Sequence, residues 1–167
     1  RCKGARLLAV QPVSASTAEL AAMWFLSDKE CKQWCHNNHV EMDKHGHPNI
    51  SAAKGACEFA IPADAGQRIA LVKEHMSAFA KGKALVWITG WGIWPSSERH
   101  HIFERWRLSY GCNKNLADLP GQFFSAEEYE DMVSCVTLSV MFLWDCFVLM
   151  PFGKRALFYS HDEFGIK

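Results

Sequence analysis

Net charge is the first thing this chain lacks, since 18 Lys and Arg residues are balanced by 18 Asp and Glu. With no excess of either sign there is no long-range field to gather nucleic acid or an anionic membrane, so partners are selected by local surface chemistry. Catalytic signatures are missing too. There is no G-x-S-x-G elbow, and no histidine is tied by sequence to a particular serine or cysteine. Gly90-Trp91-Gly92 has neither the third glycine of a dinucleotide fingerprint nor the Gly-Lys-Ser/Thr of a phosphate loop. Paired C-x-x-C knuckles, internal repeats and low-complexity tracts are likewise absent.

A membrane span is lacking in spite of one long apolar run. Residues 132–152, MVSCVTLSVMFLWDCFVLMPF, are long enough to cross a bilayer. Asp145, Ser134, Thr137, Ser139 and Pro151 all oppose lipid exposure, so the run is read as a buried helix turning into a buried strand. At 167 residues and 49% hydrophobic the chain can bury a core without metal or disulfide staples, and no cofactor is required for stability. The seven cysteines are odd in number and mostly set in apolar segments, which predicts reduced core thiols and a cytoplasmic location. The chain starts at Arg1 without Met, and native residues are expected upstream.

What is present alternates. Residues 7–13 fit a first strand, followed by a helix capped by Ser16 or Thr17 and carrying Leu20, Met23, Trp24, Cys31, Trp34 and Cys35 on a 3.6-residue period to about His39. Residues 41–55 form a polar loop. A strand over 57–61 leads to a helix that Asp64 and Gln67 open and whose apolar face is Ile69, Val72, Met76 and Phe79. Residues 83–89 are a nearly continuous apolar strand, the pattern of a central strand covered on both faces. Pro95 starts a helix with Ile102, Phe103, Trp106 and Tyr110 inward and Gly111 as its stop. Phe123 and Phe124 form a short strand, and Ser125 and Glu128 cap a helix to about Leu143. Residues 146–150 and 155–160 form a hairpin through Pro-Phe-Gly-Lys. The expected fold is a single α/β domain, with α+β as the alternative. It has a mixed sheet of about five strands, about four flanking helices and a C-terminal β-hairpin.

Three groups carry chemistry. The strand-to-helix junction at 84–111 holds four of the seven tryptophans. Trp87 and Trp106 belong to the core, while Trp91 and Trp94, beside Arg99, His100, His101, Arg105 and Arg107, have the composition of a protein-binding surface. The alternative is that every ring fills the core and the arginines pair with Glu98 and Glu104. The second group is Ser160-His161-Asp162-Glu163. Extended backbone would put His161 and Glu163 on one side and Asp162 on the other, and Asp145 on the neighbouring strand completes a candidate acid–base or divalent-metal cluster. An ordinary polar strand end is the alternative. The third is Cys31, Cys35, His36 and His39. Positions 31, 35 and 39 climb one helix face by about 12 Å, too far for one tetrahedral ion to take all three.

Residues 64–68 (DAGQR), 91–98 (WGIWPSSE), 108–111 (LSYG) and 160–163 (SHDE) together resemble a set of uncharacterised small bacterial proteins. The resemblance covers the last two-thirds of the chain and implies a bacterial stand-alone domain, with no activity attached. The expected function is that of an accessory or immunity-like protein that binds another protein or itself through Trp91, Trp94, Arg99, His100 and Arg105. The competing expectation is a small metal-dependent enzyme using His161, Asp162, Glu163 and Asp145.

Overall fold

Among the residues that the computed structural model describes, 23–91 and 100–167, the longest strand is the one without a polar face. This is β3 (Ala84–Gly90), whose first five residues are buried. Ala84, Val86 and Ile88 enter one core cluster, and Leu85 and Trp87 enter another. The strand's two-residue period thus divides the core into two halves.

Seven strands form one sheet in the order β1 (Trp24–Leu26), β4 (Gly121–Phe124), β3, β5 (Asp145–Leu149), β6 (Ala156–Tyr159), β7 (Phe164–Ile166) and β2 (Glu58–Ala60). Every pairing is antiparallel, so the molecule has the α+β form of the expected class, with seven strands instead of five and no parallel pair among the described residues. One face is covered by α2 (Ala65–Met76), α3 (His100–Ser109) and α4 (Tyr129–Met141), which contribute Val72, Met76, Phe103, Met132, Val136 and Val140. The opposite face is covered by α1 (Asp28–Asn37) through Cys31 and Cys35, and by Ile50.

The helix boundaries follow their caps. Ser27 and Glu30 form a reciprocal capping box, the Ser27 N–H donating to Glu30 Oε2 at 2.8 Å and the Glu30 N–H to Ser27 Oγ at 3.4 Å. This box starts α1 well after the expected Ser16 or Thr17. Met23 precedes, and Trp24 lies within, a strand paired with β4, where cross-strand contact with Phe123 replaces helical periodicity. The expected first strand and Ser16, Thr17 and Leu20 lie outside the described residues. Asp64 Oδ1 accepts from the Gln67 N–H at 2.8 Å, and Glu128 accepts from the Ser125 N–H at 2.8 Å. In α2 the buried face is Arg68, Val72, His75 and Met76, while Ile69 is 38% exposed. The expectation for Ile69 fails because its neighbour Arg68 takes the inward position, where its guanidinium donates to the Pro62 carbonyl and to Glu163.

Residues 132–152 follow the expected course from buried helix to buried strand. Among the described residues no helix is long and apolar enough to cross a membrane. The hairpin from β5 to β6 turns through Phe152 and Gly153, both at positive φ, with Met150 N–H donating to Arg155 O. All six described cysteines are free thiols, and only Cys57 is exposed.

Candidate functional site

One end of the sheet gathers much of what the sequence singled out. Gly90, at the end of β3, pairs with Asp145, at the start of β5, across a bulge. A Cβ at Gly90 would lie 2.5 Å from Asp145 Oδ2, so the first glycine of the Gly-Trp-Gly sequence makes room for that carboxylate. Asp145 Oδ1 accepts twice from His161, from the backbone N–H at 2.9 Å and from Nδ1 at 2.8 Å. On the other side of the ring, Nε2 lies 3.4 Å from Asp162 Oδ1. Asp145 thereby fixes the imidazole, the arrangement in which a histidine presents its second nitrogen outward.

The expected pairing of His161 with Glu163 is not formed. Residues 161–163 make a turn into β7, not an extended strand end, and Glu163 has φ 62°. Its carboxylate is directed to Arg68, whose Nη2 donates to Glu163 Oε1 at 2.8 Å while Nε donates to the Pro62 carbonyl at 2.6 Å. Asp145 and Asp162 meet opposite nitrogens of one ring, so the three groups do not converge on one point. Among the described residues no set of three or more His, Cys, Asp or Glu side chains is arranged to hold a metal ion.

The cysteine and histidine group of α1 is also divided. Cys31 and Cys35 are fully buried, and Cys31 packs so closely on Gly121 that a Cβ there would meet its Sγ. Burial pushes both thiols up, Cys35 to about 12, which keeps them protonated and poor as ligands. His39 follows the helix, exposed, at φ 56°.

At the junction Trp91 is half-buried and packs against the main core cluster. Trp94 and Arg99 lie outside the described residues, and His100 opens α3. Arg107, expected on the helix surface, is instead fully buried. Its Nη2 donates to the Leu119 carbonyl at 2.9 Å, and the guanidinium stands 5.1 Å from the Phe25 ring centroid. From the buried face of α3 an aromatic ladder runs outward, Phe103 edge-on to Trp144, then Trp106, then Tyr110, which is expected inward but follows the helix 36% exposed. Burial of Trp87 and partial burial of Trp106 agree with their assignment to the core.

The outer face of α3 differs. Leu108 is 58% exposed, and Ile102, expected inward, is 39% exposed because Phe103 and Arg107 occupy the buried face; Arg105 is exposed as well. Beside the helix lies a cleft of about 440 Å³ lined by His101, Glu104, Arg105, Leu108, Cys112 and Lys114. Leu108 and the 112–115 turn did not enter the expected surface. The visible signal for Leu108 was its offset from the Phe103–Trp106–Tyr110 stripe.

Comparison with protein-family models, curated proteins and solved structures finds no match to this chain.

Proposed function

We propose that this is a protein-binding domain whose recognition surface is the outer face of α3, in keeping with an accessory or immunity-like role in the bacterial cytoplasm. The observation that carries the reading is the exposure of Leu108 beside Arg105 on a helix whose opposite face is anchored by Phe103 and Arg107. A rigidly held helix loses little freedom on docking, and exposed apolar carbon beside an arginine is the composition of an interface centre. Arg105 and Lys114 outnumber Glu104 in the cleft, which favours a partner presenting acidic side chains around an apolar residue. Of the expected contact residues, Arg105 lies on this face; Trp91 contributes through the core contacts that hold the junction.

A photo-crosslinking residue introduced at Leu108, in cells of the source organism, should give one defined adduct with another protein, and Arg105→Glu should abolish it. Light scattering of the purified chain separates this from self-association. Absence of a discrete adduct, or one indifferent to Arg105→Glu, overturns the assignment.

A second reading, a metal-assisted enzyme centred on His161, retains one supporting observation: Asp145 orients the ring and leaves Nε2 beside Asp162. Calorimetric titration with zinc, manganese and magnesium decides it, and absence of binding removes it.

A further inference from the structure

A second, larger cleft lies at the opposite end of the sheet, where β6 begins and β7 ends. It has a volume of about 630 Å³, within the range of small-molecule sites. Its cationic side chains are Lys154 and Arg155, from the hairpin turn, and Lys167, from the end of β7; Glu74 is the single carboxylate of the lining. None of the three cations belongs to an ion pair among the described residues. Apolar wall is supplied by Ala78, Ala156 and Leu157.

Lys167 is held in place by more than solvent. Its ammonium lies 3.4 Å from His75 Nε2 and 5.9 Å from the centre of the Phe59 ring. An ammonium only donates, so Nε2 accepts, and the proton of a neutral ring sits on Nδ1, 3.3 Å from Tyr159 Oη. His75 and Tyr159 are themselves buried, and the Phe59 ring stands edge-on to His75 at 4.5 Å. A positive charge is therefore fixed at the cleft by neutral groups, and among the described residues the three cations of the lining face one carboxylate side chain, that of Glu74. Burial, followed by the charge of Lys167, holds the His75 pKa below its ordinary value, so the imidazole does not add charge of its own at neutral pH.

We propose that this cleft binds a phosphorylated small molecule, its phosphoryl group held by Lys154, Arg155 and Lys167 and its apolar part resting on Ala78, Ala156 and Leu157. A dianionic phosphoryl group suits a cleft lined by three cations, one of them a guanidinium able to donate two parallel hydrogen bonds. The balanced charge of the whole chain argues against a long polyanion, which needs an extended basic track.

Cys57 is an exposed thiol in the same lining and serves as the reporter. The full chain is alkylated with neutral iodoacetamide in the presence of phenyl phosphate, pyrophosphate or phenol at constant ionic strength, and modification of Cys57 is followed by peptide mass spectrometry. Phenyl phosphate should slow alkylation of Cys57 saturably, and pyrophosphate should do so at higher concentration. Loss of charge-assisted contacts in Lys154→Ala/Arg155→Ala, or in Lys167→Met, should raise the half-saturating concentration by about tenfold or more. Lys32→Ala, on α1, should leave it unchanged. Equal protection by phenol, protection that never saturates, or unaltered half-saturation in both cleft variants overturns the proposal. Thermal melting of each variant confirms that the exposed substitutions leave the fold intact.

Discussion

The two ends of the sheet use charge in opposite ways. At the end where β6 turns into β7, Asp145 is joined to His161 and Arg68 to Glu163, each at 2.8 Å. At the hairpin end, Lys154, Arg155 and Lys167 line a cleft with no ion-pair partner among the described residues. Charges that find partners inside the fold fix turns and strand ends. Charges left without them remain available to something from outside. Proximity to a motif is therefore a weaker guide than the partner each charge has: the Ser160–Glu163 segment looks chemical in the sequence, yet His161 is held by Asp145 and Glu163 by Arg68.

The sharpest way to break this contrast is Arg68→Ala. The Arg68 side chain is 9% exposed and its donors serve Pro62, Glu163 and, at the longer distance of 3.5 Å, Val140. Removing it takes the donor from the part-buried Pro62 carbonyl and empties a buried side-chain position, and should destabilise the fold by about 3 kcal/mol in urea denaturation. Glu163→Gln should cost less than about 1 kcal/mol, because that carboxylate is 51% exposed and solvent screens the pair. Equal losses would place the anchor in the ion pair instead of in the buried arginine.

A smaller effect comes from acid. His75 faces Tyr159 and Lys167, with Glu74 beside it on α2, and its pKa is depressed from 6.5 by burial first and by Lys167 second. A neutral ring favoured in the fold means that the unfolded chain binds more protons just below the unperturbed value. Stability is thus fully present above pH 6.5 and falls as the pH drops through and below it. The slope of stability between pH 7 and 5.5 should be shallower in His75→Gln; an unchanged slope would show that His75 does not titrate with folding.

Much of the fold was legible because its determinants are local. Asp64 with Gln67 and Ser125 with Glu128 announce helix starts within four residues, and the apolar run of β3 announces a strand covered on both faces. What escaped depends on partners far along the chain. Strands β1 and β7 have three residues each, too few to show a period, and exist through pairing with β4 and with β6 and β2. Arg68 and Arg107 were hidden for another reason: their acceptors include the main-chain carbonyls of Pro62 and Leu119, which leave no mark in residue type. The candidate sites divide in the same way. Asp145 and His161 follow from the hairpin once its register is known, whereas the basic cleft draws His75, Lys154, Arg155 and Lys167 from three separate stretches of chain.

The smallest expected effect tests the contrast most directly. Lys154→Ala/Arg155→Ala removes two exposed cations that make no ion pair among the described residues, so stability should stay within about 0.5 kcal/mol of the parent in urea denaturation. A slight gain is consistent as well, because like charges lining one cleft repel one another. The same double substitution is the one expected to weaken protection of Cys57 by phenyl phosphate. Stability unchanged while ligand protection is lost is the signature of residues retained for binding. A loss above about 1 kcal/mol would instead make the hairpin cations structural, as Arg68 is at the other end, and the distinction between the two ends would disappear.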